Sequence, residues 1–113
     1  MRLSYLAAPY SSPSAEATDE RMKAFYEADA YLTSMGHFTV SPLLKHPIVK
    51  SSVIPGDWAY WETYSKALLS RCDELLVLQL PGWNTSTGVA GEIAFAKELG
   101  IPVFYIDPDT LKF

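Results

Sequence analysis

The sequence predicts an α/β fold, a flavodoxin- or Rossmann-like parallel sheet of about four to five strands with helices on both faces. Three observations lead there. Short apolar runs alternate with stretches whose apolar residues recur every three or four positions, in the order β-α-β-α-β-α-β. The runs are nearly continuous in apolar residues rather than alternating, as expected of strands covered on both faces. The composition, 49% hydrophobic and 19% charged over 113 residues, suits one domain spanning residues 1–113 that buries about two thirds of its unfolded surface.

Leu3 to Ala8 is short, apolar and stopped by Pro9, which reads as a buried first strand. Tyr10-Ser-Ser-Pro-Ser is a hydroxyl-rich loop in which Ser12 or Ser14 caps a helix. Met22, Phe25, Ala28, Leu32 and Met35 supply that helix with an apolar stripe, and Gly36 closes it. A second strand runs from His37 to Ser41, and residues 42–56, rich in proline, read as an irregular loop. Asp57 is placed to cap a second helix whose Trp58, Trp61, Tyr64, Leu68 and Cys72 form a core stripe. Glu74 to Leu80 reads as a buried third strand ending at Pro81-Gly82. Ser86 or Thr85 caps a third helix that runs through Leu99 to Gly100, and Pro102 to Ile106 forms the last strand. In such sheets ligands sit at the carboxyl ends of the strands, so the loops after Ala8, Ser41 and Leu80 are expected to converge on the site.

Charge and cysteine usage narrow the function classes. Nine Lys and Arg against thirteen Asp and Glu give a net charge of −4, and no basic run stands out, so neither duplex nucleic acid nor an anionic membrane is expected as a partner. The single cysteine, Cys72, has no intrachain disulfide partner, and neither it nor His37 and His46 has metal-ligand spacing. No metal and no cofactor are therefore expected. The opening apolar stretch is too short for a signal peptide and Leu75 to Leu78 too short for a membrane span, which points to the cytoplasm.

Chemistry concentrates between Pro81 and Ala96, where small hydroxyl residues run from a strand into a helix start. The first-turn amides of such a helix lack partners and carry the positive end of its dipole, while Thr85, Ser86 and Thr87 add hydroxyls suited to an anion or a sugar. Glu92 is the one ionisable side chain in this segment, set among Gly88, Val89, Ala90, Gly91, Ile93 and Ala96. Helical side chains lean toward the amino terminus, so Glu92 is expected to point over Gly88 into a shared cavity. Burial raises its pKa and the helix terminus lowers it, leaving the net direction open.

Two segments, Tyr5-Leu-Ala-Ala-Pro-Tyr10 and Ser86-Thr-Gly-Val-Ala-Gly-Glu92-Ile-Ala-Phe-Ala96, resemble the nucleoside 2-deoxyribosyltransferase superfamily and its relatives, the deoxynucleoside 5′-monophosphate N-glycosidases. Asp73 before the apolar third strand, Ser41-Pro42, His46-Pro47, the Trp58/Trp61 helix and Leu80-Pro-Gly-Trp83 extend the resemblance, most closely to a small uncharacterised branch. It implies cleavage or transfer at an N-glycosidic bond, with Glu92 matching the family nucleophile and Tyr5 the tyrosine that orients it. A carboxylate suits that role because it can form an ester with the oxocarbenium-like sugar. Ser86 matches a serine that binds a 5′-phosphate in monophosphate-cleaving relatives. Ser11 and Ser12 occupy the loop that also contacts phosphate there, and Thr87, Gly88, Ser41, His46, Asp73 and Trp83 complete the implied substrate-binding set.

The sequence departs from the family at two places. The first loop carries no arginine, and Ser65 stands where relatives often have an aspartate that contacts the sugar or aids protonation of the base; Asp57, Asp73 and His46 are the substitutes at hand. Pro81-Gly82 and Gly88-Val-Ala-Gly-Glu92 also echo, at longer spacing, a phosphoribohydrolase of the cytokinin-activating type, and a non-catalytic nucleotide-binding module is the alternative outside enzymes. The expected partner is a small nucleoside or nucleotide. A homodimer or higher homo-oligomer is expected from the aromatic content.

Overall fold

A computed structural model describes residues 2–10, 14–47 and 57–111. Four strands, β1 (Leu3–Ala7), β2 (Phe38–Val40), β3 (Glu74–Leu78) and β4 (Val103–Ile106), form one sheet in the order β2-β1-β3-β4, with every pair parallel. Register is set by Tyr5 opposite Val40 and Leu75, and by Leu76 opposite Phe104. Helices α1 (Ala15–Ser34), α2 (Trp58–Leu69) and α3 (Thr87–Leu99) connect the strands.

Alternation along the two central strands divides the core. Leu6, Leu76 and Leu78 pack on one face against Met22, Phe25, Ala28 and Leu32 of α1, whereas Tyr5, Ala7, Leu75 and Val77 pack on the other against Leu69, Val89 and Ala96 of α2 and α3. All five residues of β3 are buried, which explains why Leu75 to Leu78 is an apolar run without alternation. The foot of the sheet is tied by polar bonds. Leu3 N donates to Asp73 Oδ2 at 2.7 Å, Asp73 N donates to the Leu3 carbonyl at 2.8 Å, and buried Glu74 accepts from Arg2 at 2.7 Å and from Ser4 Oγ at 2.6 Å.

Several elements are shorter or capped differently than the sequence predicts. Ser14 caps α1, accepting from Ala17 N; the alternative, Ser12, lies outside the described residues, as does Ser11. Met35 follows the helix and is exposed, so the α1 stripe ends at Leu32. The second and third strands are trimmed to Phe38–Val40 and Glu74–Leu78. Pro42–Lys45 of the expected irregular loop forms a 3₁₀ turn, and residues 48–56 of that loop lie outside the described part. Asp57 holds the cap position of α2 without a side-chain cap bond. The expected core stripe of α2 is also displaced. Ser65 and Leu69 are its buried residues, Trp58 and Trp61 are half-buried, Tyr64 is exposed, and buried Cys72 lies beyond the helix end. Ser86, not Thr85, caps α3 by accepting from Val89 N, and Gly100 ends it in the left-handed region at φ +73°.

The helices α2 and α3 meet through one close approach. The Trp58 indole lies against the first turns of α3, where a Cβ on Gly91 would come within 2.6 Å of the ring and one on Gly88 within 3.5 Å. A side chain at position 91 therefore forces the indole off the helix. Gly91→Ala is expected to lower stability by about 1–3 kcal/mol through overpacking, despite alanine's higher helix propensity, as read from the midpoint of urea unfolding.

Candidate active site

A cavity of about 570 Å³ opens at the carboxyl ends of the strands, walled by the segments that follow β1, β2 and β3 and by the starts of the helices. This is where a parallel sheet leaves strand ends and helix amino termini facing one space. Glu92 lines it, reaching inward from the core-facing stripe Val89, Glu92, Ala96 of α3. Tyr5, fully buried at the centre of β1, donates its hydroxyl hydrogen to Glu92 Oε2. Ser65 of α2, buried, lines the cavity together with Glu92. Three elements thus converge on one carboxylate.

Burial pushes the Glu92 carboxyl up to about 7, against the opposing pull of the Tyr5 hydrogen bond. Loss of water outweighs the stabilising donor, which answers the question the sequence leaves open. The Tyr5 phenol is driven far above its usual range, first by burial and then by the Glu92 charge, so Tyr5 remains a donor. A carboxylate poised in this way, fixed in direction by a permanently protonated phenol, is equipped to act as a nucleophile near neutral pH.

The wall beside Glu92 is the start of α3. Ser86, Thr87 and Gly88 line the cavity with Thr85, and Ser86 accepts a bond from Val89 N at 3.2 Å, leaving its hydroxyl hydrogen to donate elsewhere. Gly88 adds no bulk between Glu92 and the Trp58 indole, which also lines the cavity. His46 also lines it, just after the 3₁₀ turn. The structure thereby brings together Glu92, Tyr5, Ser86, Thr87, Gly88 and His46.

It does not bring in the other three described candidates. Ser41 caps the 3₁₀ turn, its hydroxyl accepting from Leu43 N at 3.2 Å. Asp73 sits at the amino end of β3, the foot of the sheet, and is occupied by the Leu3 amide. Trp83 packs against the core beneath α3 and contacts Tyr105, with ring centroids 5.6 Å apart. None of the three lines the cavity.

Residues absent from the sequence-derived set complete the lining. Arg21, two turns into α1, enters the cavity beside Gly82, whose added Cβ would lie 3.0 Å from the guanidinium. Tyr10 also lines it, and so do Trp58 and Trp61 of the helix that extends the resemblance and Asp57, one of the substitute acids the sequence offers. The signal for Arg21 is positional: the first two turns of a helix that follows a strand in a parallel sheet lie near the ligand-binding end.

Glu92 titration has a measurable consequence for stability. With its pKa raised from 4.5 to about 7, the folded chain holds the extra proton between those values. The associated stability is complete below the lower value and is lost as pH rises through the upper one. Urea unfolding is expected to show a decline on the order of 3 kcal/mol across that window. Glu92→Gln, which cannot ionise, is expected to flatten it and to exceed the wild type in stability at about pH 8.

The fold is that of the nucleoside deoxyribosyltransferases. A solved structure of a 2-deoxyribosyltransferase from the psychrotolerant bacterium Bacillus psychrosaccharolyticus, described as a biocatalyst for the synthesis of antiviral and antitumoral nucleosides, superimposes with a TM-score of 0.61 at 24% identity, covering 94% of this chain and 72% of that one. No curated protein sequence matches the chain. Residues 2–107 match the family model of DUF1937, a domain of unknown function, and the chain belongs to that family.

Proposed function

We propose that the protein cleaves or exchanges the N-glycosidic bond of a nucleoside or nucleoside 5′-monophosphate, with Glu92 as nucleophile. The observation that carries this reading is the buried Glu92 carboxylate, oriented by Tyr5, at the wall of a cavity large enough for a nucleoside. Likeness of fold to a 2-deoxyribosyltransferase supports the same bond as the target.

A Glu92 oxygen attacks the anomeric carbon as the bond to the base nitrogen breaks. The bonding electron pair leaves with the base, which takes up a proton, and the sugar remains as an ester on Glu92. Water or a second base then attacks the same carbon, surrenders a proton, and returns the carboxylate. The hydrogen bond from Tyr5 keeps the attacking group from turning toward the core. Trp58 and Trp61 supply flat faces for the base. No step calls on a metal or a cofactor.

Arg21 extends the reading to 5′-monophosphates. Its guanidinium and the hydroxyls of Ser86 and Thr87 line one cavity with the amino terminus of α3, a set of donors suited to a phosphate. The protein is read as a cytoplasmic homo-oligomer, a state favoured by the exposed rings of Tyr60, Tyr64, Phe104 and Tyr105.

Chromatography of nucleosides and 5′-monophosphates, ribo and deoxy, incubated with and without a second base, tests the proposal. Base release by wild type is expected, and Glu92→Ala is expected to lower it by at least about a thousandfold. Its kcat/KM is expected to fall as pH drops through about 7, where Glu92 gains its proton. Ligand-induced thermal stabilisation without base release from any compound would instead identify a binding module. Arg21→Ala is expected to lower kcat/KM about tenfold or more on a 5′-monophosphate, and by less on the matching nucleoside.

A further inference from the structure

A hydrogen-bonded chain of three side chains stands in the same cavity and takes no part in holding Glu92. Tyr10, just past β1, has its hydroxyl 2.7 Å from His46 Nδ1, and His46 Nε2 is 3.2 Å from Asp19 Oδ1 on the second turn of α1. Both Tyr10 and His46 line the cavity, and their rings pack edge to face with centroids 5.4 Å apart. His46 is buried at 8% exposure, whereas Asp19 sits at the outer end with 43% of its side chain exposed. The chain therefore runs from solvent, through a buried imidazole, to a phenol facing the ligand space.

We infer that Tyr10 is the general acid that protonates the departing base, resupplied by His46, with Asp19 holding the imidazole in place. The inference rests on the N-glycosidic reading above and adds the group that reading requires on the leaving side.

The direction of the chain follows from what each group can do. An ionised carboxylate only accepts, so Asp19 takes a hydrogen from Nε2 and assigns the remaining nitrogen, Nδ1, to Tyr10. Neutral His46 then accepts the phenol hydrogen. Protonated His46 instead donates Nδ1–H to the phenol oxygen, and the phenol hydrogen turns outward to the cavity. Burial, with Tyr26 and Asp19 nearby, holds the Tyr10 phenol above its usual pKa, so it keeps its hydrogen until a stronger base arrives. In the reaction the phenol hydrogen passes to the base nitrogen as the glycosidic electron pair leaves, and Nδ1–H passes to the phenol oxygen. His46 ends neutral, Glu92 ends as the ester, and the base departs neutral, so the negative charge lost at Glu92 balances the positive charge lost at His46. Solvent at the Asp19 end restores the imidazolium.

This assignment also accounts for Ser65. Ser65, which lines the cavity from α2, is a hydroxyl with no acidic proton to lend, and the acid enters from the segment after β1.

The test compares leaving groups. Tyr10→Phe and His46→Gln are assayed on the natural nucleoside or monophosphate and on the 4-nitrophenyl glycoside of the same sugar, whose phenolate departs without a proton. Tyr10→Phe is expected to lose about a hundredfold or more in kcat/KM on the natural substrate and to stay within about threefold of wild type on the nitrophenyl compound. His46→Gln is expected to show the same split at smaller size, with KM little changed. Equal losses on both substrates by both variants, or no loss on either, would overturn the assignment while leaving Glu92 chemistry standing. Absence of product from wild type on every substrate would remove both. Glu92→Ala, inactive on both leaving groups, separates the two roles.

Discussion

The structure depends on keeping one carboxylate out of water. Placing Glu92 against the core face of the sheet costs solvation that a single phenolic donor only partly returns, so every element around it has to hold position. Tyr5 can supply that donor because β1 is a central strand, flanked by β2 and β3, with its backbone bonded on both sides. Leu75 and Val77 from the neighbouring strand and Val89 and Ala96 from the same helix stripe close the surroundings. The same desolvation that destabilises the anion raises its pKa, which is the property the proposed nucleophilic role draws on.

The amino terminus of α3 has two tasks that compete for the same atoms. Its first turn must be capped, which Ser86 does, and it borders the cavity beside Glu92, which Gly88 leaves open. The indole of Trp58 fills the outer side of that turn and can lie there because Gly91 has no side chain. Helix packing and cavity shape are therefore one problem at this corner, and the absence of β-carbons at two positions resolves both.

Local patterns carried the fold and part of the cavity lining. The buried run of β3, the Ser86 cap, the left-handed Gly100 and the position of Glu92 among small residues depend on neighbours in sequence, and each is legible there. Asp73 misled for a physical reason: an aspartate before an apolar strand serves the backbone of β1 at the foot as readily as it serves a ligand. Ser41 and Trp83 are similarly taken up by a turn and by core packing. Arg21 and the Tyr10, His46 and Asp19 chain were not assembled from sequence because their partners lie on different elements, as with the 36 residues that separate Tyr10 from His46. The α2 stripe failed because its aromatic spacing fits a helix face but does not say which face meets the sheet; Ser65 and Leu69 answer that.

The bonds at the foot of the sheet, Leu3 with Asp73 and Glu74 with Arg2 and Ser4, lie a full strand length from the cavity. The side chains that tie the foot and those that line the cavity are thus separate sets. Substitutions among the foot bonds can change cohesion without touching the cavity lining, and stability gained at the foot can offset destabilising changes in the loops above. For so small a domain, in which each residue is a large fraction of the whole, that separation is what makes functional drift affordable.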